Sequence, residues 1–367
     1  MFGNNILSTP LAIAFSITES ISPLNCFKKR WVCVSIKFIA AKLGYFISFT
    51  PVQKTLKILV VRFSSIGDIV LTTPVVRLLK KEINANVHYI TFRNYKSILE
   101  NNPNIDKIYT INETINEVIK DLKNENYDLL IDLHHNIRTQ ILKRKLGVPS
   151  KSFRKLNVQK WLMTTFKINI LPKIHITDRY LETIQNLGIK NDNLGLDFFL
   201  TKKDRVENLP NDYIAFAIGG KHNTKKLPNQ KIISICNKLN QQVILIGGKE
   251  DFQNGEGIIS KTKNTKNTCG KYSIGQSAFI LKNAEYVITH DTGMMHIAAA
   301  FKKKIISVWG NTIPAFGMHP YLTNPDSKII EVKNLHCRPC SKIGFGKCPK
   351  GHFDCMNKIE ENLFLGE

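Results

Sequence analysis

Short apolar runs alternate with segments of helical periodicity along most of this chain, beginning near residue 56. The runs are Leu56–Val61, Val87–Thr91, Lys107–Ile111, Tyr127–Asp132, Tyr213–Ala217, Gln242–Ile246, Tyr286–Thr289 and Lys304–Val308. Their high Val, Ile and Leu content is typical of strands that are buried on both faces of a parallel sheet. Alternation of such strands with helices predicts right-handed crossovers, so the predicted fold class is α/β with doubly wound sheets.

The polar segment 201–211 divides this pattern into two similar series. Helical spacing within them predicts helices over Ile69–Glu82, Asn229–Leu239, Ile274–Asn283 and Met294–Ala300. A chain of 367 residues is long enough for about two domains. We therefore predict two Rossmann-like domains facing each other across a cleft, over residues 56–200 and 212–335, and a Cys-rich tail over 336–367. Ligands of such sheets bind beyond the carboxyl ends of the strands.

Residues 1–55 follow a different pattern, with six basic residues and one acidic residue. The stretch Trp31–Phe49 is nearly long enough to cross a bilayer. Lys37 and Lys42 lie near its middle, however, and each opposes insertion by about 2.5–3.5 kcal/mol. Two interpretations stay open for this N-terminal extension: a helix lying in the membrane interface, or a poorly ordered segment.

The chain carries 52 Lys and Arg against 29 Asp and Glu, a formal net charge of +23. Such a surplus attracts polyanions, among them anionic lipid surfaces, phosphorylated glycans and nucleotides. A generally Lys-rich source proteome is an equally open explanation. Nucleic acid is a less favoured partner, because the sequence has no zinc-finger spacing, no basic helix with heptads and no RNP-type aromatic strand.

The first candidate site is the loop Arg62–Asp68, directly after the first predicted strand. It lacks the G-x-G-x-x-G fingerprint, which argues against a nicotinamide or flavin cofactor. It places Asp68 where a helix begins. Two roles are open for this carboxylate: a helix N-cap, which stabilises by about 1 kcal/mol, or a general base.

The second candidate site follows the strand Tyr213–Ala217 and contains Gly219 together with Lys225 and Lys226. Glycine lets a ligand approach the backbone closely, and two adjacent ammonium groups supply positive charge for a diphosphate. The alternative interpretation is a solvated basic loop.

The third candidate site runs from Thr289 to His296, between a strand and a helix. A helix N-terminus offers free N–H groups and a positive dipole end to a phosphate, and Gly293 leaves room for it. Asp291 would repel that phosphate, so it either binds ligand hydroxyls or caps the helix. His296 either faces the same cleft or is a packed structural residue.

These segments together resemble glycosyltransferase family 9, the ADP-heptose:lipopolysaccharide heptosyltransferases. The resemblance rests on K-I-L-V-V-R-F-S-S-I-G-D-I-V-L-T-T-P at 57–74, K-x-L-P at 225–228 and H-D-T-G-M-M-H-I-A-A-A at 290–300, with support from 132–138 and 175–181. It implies a GT-B fold, a metal-independent transfer that inverts the anomeric centre, and a donor site in the C-terminal domain.

By this resemblance, Asp68 matches the catalytic base, and Lys225 matches the lysine that contacts the donor diphosphate. Leu227 stands where the family commonly has Trp, which loosens the register between Lys225 and Lys226. Donor-binding residues are expected at Gly219, Thr224, Lys225, Lys226, Glu250, Asp291, Thr292, Gly293 and His296. Acceptor-binding residues are expected at Ser65, Gly67 and Arg138. The acidic residue that holds the donor ribose is Glu250 or Asp251.

The expected reaction moves a heptose or related sugar from a nucleotide-diphosphate donor, ADP-heptose, to a lipopolysaccharide core-type acceptor. Asp68 takes the proton of the attacking hydroxyl, while Lys225 and the N–H groups at 292–294 stabilise the departing diphosphate. No metal-binding D-x-D lies beside these segments, and no cofactor is expected for catalysis. The acceptor is a phosphorylated glycolipid, so the enzyme is expected in the cytoplasm, peripherally at the inner face of the cytoplasmic membrane. Two alternatives stay open: transfer of another sugar to a cell-surface glycan, and a non-catalytic nucleotide-sugar-binding protein.

Four cysteines crowd into the Cys-rich tail with the spacing C-x2-C-x7-C-x6-C. They are Cys337, Cys340, Cys348 and Cys355. Thiols at this density suggest a structural zinc site, although the paired C-x2-C spacing of a zinc ribbon is missing. Disulfides and reduced packing thiols are the other two possibilities.

Overall fold

A computed structural model describes residues 54–365 of the chain. The N-terminal extension, for which an interfacial helix was one expectation, therefore lies almost entirely outside the described residues. Within the described range, every helix is too short or too polar to cross a bilayer. Residues 55–365 lie in one compact unit that contains both sheets described below.

The first half of this unit contains a five-stranded parallel sheet with the order β3-β2-β1-β4-β5. Its strands are β1 (Lys57–Val61), β2 (Asn86–Phe92), β3 (Lys107–Ile111), β4 (Leu129–Asp132) and β5 (Ser150–Ser152). The chain adds β2 and β3 on one side of β1 and then returns to place β4 on the other side. The loops after β1 and β4 therefore diverge at a topological switch point, which is where such sheets bind ligands.

The second half contains a six-stranded parallel sheet with the order β11-β10-β9-β6-β7-β8. Its strands are β6 (Tyr213–Ala217), β7 (Gln242–Ile246), β8 (Thr265–Asn267), β9 (Tyr286–His290), β10 (Lys304–Trp309) and β11 (Lys328–Glu331). Its switch point lies between β6 and β9, so the second and third candidate sites share one edge of the sheet. The predicted α/β class with two doubly wound sheets is confirmed, whereas the domain boundaries at 56–200 and 212–335 stay a prediction.

Helices connect the strands in both halves. The α-helices are α1 (Ile66–Val70), α2 (Thr73–Ile83), α3 (Ile119–Asn124), α4 (Ile137–Leu146), α5 (Asn157–Thr165), α6 (Ile176–Leu181), α7 (Asn229–Lys238), α8 (Phe252–Ile259), α9 (Ile274–Asn283), α10 (Gly293–Ala300) and α11 (Asp354–Asn357). The 3-10 helices are Arg93–Ile98, Ile115–Glu117, Glu182–Leu187, Lys202–Asp204, Asn223–Lys225, Lys249–Asp251, Pro314–Phe316 and Glu361–Phe364.

The helix predicted over Ile69–Glu82 is two helices in the structure, α1 and α2. Thr72 and Thr73 lie at the break, where their hydroxyls donate hydrogen bonds to the carbonyls of Ile69 at 2.6 Å and Val70 at 2.8 Å. Pro74 falls in the first turn of α2, a position where its missing N–H removes no helical hydrogen bond. Side-chain bonding and proline therefore end one helix and begin the next.

One continuous apolar core extends between the two halves. It includes Ile58 and Val60 of β1, Tyr213 and Ala215 of β6, and Met295 of α10, all nearly or fully buried. Helices α1 and α10 pack against each other within this region. The loops that follow β1 and β9 are consequently held close together.

Candidate functional site

The turn after β1 fixes the carboxylate of Asp68 at the start of α1. Ser65 is the N-cap residue, and its hydroxyl and backbone N–H donate to Asp68 Oδ2 at 2.8 and 3.3 Å. The other carboxylate oxygen, Oδ1, forms an ion pair with Arg62 Nη2 at 2.8 Å. Asp68 is thus the third helical residue of a capping box rather than the N-cap considered from the sequence. The Asp68 carboxylate therefore stabilises the start of α1 and is still partly exposed to solvent.

Arg62 orients this carboxylate and sets its protonation. The guanidinium is itself anchored, because it donates to the carbonyls of Ser64 at 2.7 Å and Leu133 at 2.6 Å. Burial by itself would raise the pKa of Asp68, but Arg62 and the hydrogen bonds from Ser65 hold it below its usual value. Asp68 is therefore a fixed carboxylate anion at neutral pH, able to accept a hydrogen bond from a hydroxyl group.

The N-terminus of α10 lies directly against the turn that carries Asp68. A Cβ atom on Gly67 would lie 3.2 Å from Gly293 Cα and 2.5 Å from His296 Cδ2. A Cβ atom on Gly293 would lie 2.7 Å from Ile66 Cγ2. Both positions consequently require glycine, since a methyl group at either one would force apart the two helix starts. The structure brings Gly67, Gly293 and His296 together.

His296 is a neutral imidazole at this junction. Burial lowers its pKa to about 4, although the nearby carboxylates Asp291 and Asp68 act in the opposite direction. Its Nδ1 atom has no hydrogen-bond partner within the described residues. A buried polar atom without a partner is uncommon in a folded protein, so this ring nitrogen stands out among the polar atoms of the junction.

Lys225 reaches the same edge from the loop after β6. Its ammonium group forms an ion pair with Asp291 Oδ2 at 2.6 Å, and the same oxygen accepts from the hydroxyl of Thr312 at 2.9 Å. The N-cap of α10 is Thr292 rather than Asp291. Asp291 therefore holds Lys225 beside the free N–H groups of α10, and the capping role considered for it is not what the structure shows.

Lys226 and the acidic pair after β7 have different environments. Lys226 forms an ion pair with the buried Asp251 at 3.2 Å, and Asp251 also accepts from the backbone N–H of Gly248 at 3.0 Å. Gly219 lies beside Asp251, whose carboxylate fills the space that a side chain at 219 would need. Glu250, by contrast, is exposed. Of the two acids considered for the donor ribose, Glu250 is the accessible one.

Thr224 is directed toward the Cys-rich tail. Its hydroxyl donates to the carbonyl of Phe345 at 3.0 Å and accepts from the N–H of the same residue at 2.8 Å. Because this side chain is buried and engaged with Phe345, the geometry does not favour the donor contact expected for it.

Arg138, expected to bind the acceptor, lies in the first turn of α4, directly after β4 of the first sheet. Its guanidinium lies over the rings of Phe63, at 5.5 Å, and Phe92, at 5.0 Å. These cation–π contacts orient the side chain and leave its N–H groups able to donate elsewhere. His134, which the sequence analysis did not select, packs edge-on against Phe63 at 5.4 Å, and burial lowers its pKa to about 4.

Lys160 of α5 is a second residue that the sequence analysis missed. Its ammonium group lies 5.2 Å from the centroid of the Phe316 ring. Burial, together with Arg179, lowers the pKa of Lys160 to about 8, while Asp68 and Asp291 oppose that shift. Lys160 therefore lies within electrostatic range of both carboxylates. Its helix was not predicted, so no signal in the sequence pointed to it.

The expected zinc site is not found. Within residues 54–365, no group of three or more His, Cys, Asp or Glu side chains is arranged to hold a metal ion. Cys355 is packed in the apolar core of the second half, and Cys340 donates its thiol hydrogen to the carbonyl of Cys337 at 3.1 Å. Cys337, Cys340, Cys348 and Cys355 are free thiols. Apolar packing therefore directs the Cys355 side chain, and a backbone hydrogen bond directs that of Cys340.

Comparison with known proteins places this arrangement in a family. The model of glycosyltransferase family 9 (heptosyltransferase) matches residues 115–345. Lipopolysaccharide heptosyltransferase 1 of Campylobacter coli is 23% identical over 346 residues, an alignment that covers 84% of this chain and 97% of that protein.

Two solved structures share the fold. A glycosyl transferase family 9 protein from Veillonella parvula superimposes with a TM-score of 0.63 at 22% identity, over 75% of this chain and 85% of that one. The E. coli ADP-heptose lps heptosyltransferase II superimposes with a TM-score of 0.62 at 18% identity, over 83% of this chain and 98% of that one.

Proposed function

Because this chain belongs to glycosyltransferase family 9, we propose that it transfers a heptose from ADP-heptose to a lipopolysaccharide core acceptor. The observation that carries this proposal is the contact between Gly67 and the start of α10. This contact holds the turn that carries the Asp68 carboxylate against the N-terminus of α10. The first half of the molecule thus contributes a proton acceptor, and the second half contributes a binding site for an anionic leaving group.

The donor diphosphate is proposed to lie at the N-terminus of α10. The N–H groups of this helix start, the helix dipole and Lys225 supply positive charge there. Asp291 positions Lys225 and takes donor hydroxyls, while Glu250 holds the ribose. Stabilisation of the leaving ADP by fixed N–H groups and an ammonium group supports a transfer that requires no metal ion.

The chemical step is proposed as a single displacement. An acceptor hydroxyl attacks the anomeric carbon, the bond from that carbon to the diphosphate oxygen breaks, and the electron pair leaves with ADP. Asp68 accepts the proton of the hydroxyl as the new glycosidic bond forms. Because attack and departure occur on opposite faces, the anomeric configuration inverts. A carboxylate with a lowered pKa is a weak base, so proton transfer is expected late, when the attacking oxygen has become acidic.

The acceptor is proposed to be a phosphorylated glycolipid bound on the side of the first sheet. Arg138 and Lys160 supply cations there, and Ser65 and Gly67 line the approach to Asp68. By the same proposal, the enzyme acts in the cytoplasm, at the inner face of the cytoplasmic membrane.

The test is a transfer assay with ADP-heptose and a heptose-deficient core acceptor, read by mass spectrometry and by NMR of the anomeric proton. We expect an acceptor one heptose heavier, with the anomeric configuration opposite to that of the donor. Transfer from a different nucleotide sugar would favour the first alternative, a transferase for another glycan. Tight ADP binding without transfer or hydrolysis would favour a nucleotide-sugar-binding protein.

Thermal unfolding in the presence of ADP, UDP, GDP and CDP identifies the donor base. A nucleotide present at about 100 times its Kd stabilises the folded state by roughly 2.7 kcal/mol. We expect the largest shift with ADP. A larger shift with another nucleotide would contradict the proposed donor while leaving the enzyme class intact.

A further inference from the structure

Helix α5 and the segment after it expose an apolar surface. No residue of α5 is buried, although the helix carries Val, Trp, Leu and Met side chains. Val158, Trp161 and Phe166 are 65%, 53% and 57% exposed, and Ile168 and Ile170 are exposed to a similar extent. We name these five residues the α5 surface. Single exposed apolar residues are ordinary, but a cluster of this kind on one short segment marks an interaction site.

Three members of the α5 surface, Val158, Trp161 and Phe166, lie close together. Val158 and Trp161 are three residues apart on the helix and share a side of it. The rings of Trp161 and Phe166 pack edge to face with centroids 5.3 Å apart. Lys167 fixes the turn between helix and extended chain by donating to the carbonyls of Thr164 at 2.7 Å and Pro339 at 2.8 Å. The surface is therefore held in shape by the protein itself.

A cationic cavity of about 450 Å³ adjoins this surface and shares Ile170 with it. Arg154, Lys173 and Arg179 line the cavity, with Glu182 as a carboxylate on its wall. Arg179 is only 3% exposed, yet its Nε and Nη2 atoms have no hydrogen-bond partner within the described residues. A buried guanidinium with unmatched donors is costly unless an anion approaches it.

We propose that the α5 surface docks this enzyme on an anionic phospholipid bilayer, with apolar side chains at the acyl boundary and a headgroup phosphate at the adjoining cationic cavity. Charge complementarity selects this occupant, because three cations against one carboxylate line the cavity and the whole chain carries +23. Trp is enriched at the interface between water and lipid, and Trp and Phe are typical of the apolar face of interfacial helices.

The same helix connects the bilayer to the reaction site, and this step of the inference rests on the proposed function. Lys160 belongs to α5, and its ammonium group lies over Phe316 within electrostatic range of Asp68 and Asp291. A bilayer on the α5 surface would therefore contact the helix that carries Lys160, one of the cations proposed to bind the lipid-linked acceptor. Docking and catalysis use different residues, so they can be tested separately.

The experiment measures binding of the full chain to vesicles of phosphatidylglycerol mixed with phosphatidylcholine, and to vesicles of phosphatidylcholine alone. The variant is Trp161→Ser with Phe166→Ser, and the matched control is Ile329→Ser with Leu363→Ser, two apolar residues that are each 46% exposed elsewhere. We expect the wild type and the control to sediment with anionic vesicles, and the variant to lose at least tenfold in partition coefficient. Arg154→Gln with Lys173→Gln should reduce the preference for anionic over neutral vesicles.

Fluorescence provides a second measurement. In a Trp31→Phe background, Trp161 is the exposed emitter and Trp309 the buried one, so a blue shift on addition of anionic vesicles reports insertion of the α5 surface. Unchanged vesicle binding by the Trp161 and Phe166 variant would overturn the proposal, as would absence of vesicle binding by the wild type. A dimer dissolved by the same variant, without vesicle binding, would assign the surface to a second copy of the chain instead.

A transfer assay on a deacylated, water-soluble acceptor separates this proposal from the proposed function. The variant should retain wild-type turnover on that acceptor. If the wild type also fails to transfer, the proposed function fails, while the vesicle result still decides the docking surface.

Discussion

Gly67 and His296 are in contact across the two halves of the protein, and the contact leaves no room for a side chain on Gly67. A Cβ atom there would lie 2.5 Å from His296 Cδ2, closer than ordinary packing permits. The two residues belong to loops that follow strands of different sheets. Their contact brings the turn that carries Asp68 and the N-terminus of α10 together into one site.

Gly67→Ala should therefore reduce both stability and activity. Overpacking of this kind costs typically 1–3 kcal/mol, and the displaced helix starts should also lower turnover. Chemical denaturation and the transfer assay measure the two effects. Gly257→Ala is the matched control, because a Cβ atom at that helical position meets no atom within 4 Å. The control should be neutral or stabilising, and an equally mild effect at Gly67 would contradict the tight contact.

Asp68→Asn should reduce turnover by about 10²- to 10⁴-fold, the usual range for loss of a general base, and should leave ADP affinity within about threefold of wild type. Asparagine keeps the shape of the side chain and can still accept the hydrogen bond from Ser65, but it lacks the negative charge that pairs with Arg62. Turnover under single-turnover conditions and calorimetry with ADP test these expectations. Asp106→Asn, which removes an exposed partner of Lys80, is the control. Near-normal turnover in Asp68→Asn would exclude the proposed role.

The lowered pKa of Asp68 also gives a pH dependence of known sign. Its folded-state pKa lies below the usual value, so its contribution to stability is complete above the ordinary carboxyl range and is lost as pH falls through the lower, folded-state value. At about pH 6, roughly two units above an ordinary carboxyl pKa, the group is already fully ionised. Turnover should consequently not change through this group between about pH 6 and 9. A kinetic pKa near neutrality that disappears in Asp68→Asn would show instead that the bound substrate raises it.

Lys225→Ala should weaken ADP binding by about tenfold or more, because a hydrogen bond to a charged group contributes roughly 1.5–3 kcal/mol. Lys226→Ala is the matched comparison, since this neighbouring ammonium group is paired with Asp251 and not with Asp291. It should change ADP affinity much less. Calorimetry on both variants decides between them, and the reverse order of effects would transfer the diphosphate contact to Lys226.

His296 should make the folded state sensitive to acid. Burial lowers its pKa to about 4, below the ordinary value of about 6.5, so the folded state favours the neutral ring. Its stabilising contribution is present above pH 6.5 and is lost as pH falls toward 4, by at most about 3 kcal/mol. Denaturation at pH 7.5 and 5.0 should show a smaller loss of stability in His296→Gln than in the wild type. Equal losses in the two proteins would contradict a neutral His296.

The thiols of the Cys-rich tail should behave as packing groups. Treatment with a strong zinc chelator should leave Tm unchanged, and metal analysis should find well under about 0.2 zinc per chain. Cys355→Ser should destabilise, because it places a hydroxyl in the apolar core around Cys355. A chelator-induced fall in Tm would reinstate the four-cysteine site that the spacing suggested.

The sequence alone predicted the two parallel sheets and the candidate loops after β1, β6 and β9, because both depend on local sequence patterns. A strand such as Tyr213–Ala217 is apolar along its whole length, which is what burial on both faces requires. The edge strands Ser150–Ser152 and Thr265–Asn267 escaped prediction because they are short and polar, and only pairing with a neighbour makes them strands. The break in the first helix escaped because hydroxyl bonding at Thr72 competes with a continuous periodic pattern.

Tertiary structure alone decided which groups face each other. Nothing local in the chain indicates that Thr224 bonds to Phe345, that Lys225 pairs with Asp291, or that Arg62 fixes Asp68 while Leu133 anchors Arg62. Hydrophobic periodicity records which side of an element is buried, whereas hydrogen bonds and ion pairs between loops depend on distances that exist only after both sheets have packed. The motif residues were therefore determined by the sequence, and their partners by the fold.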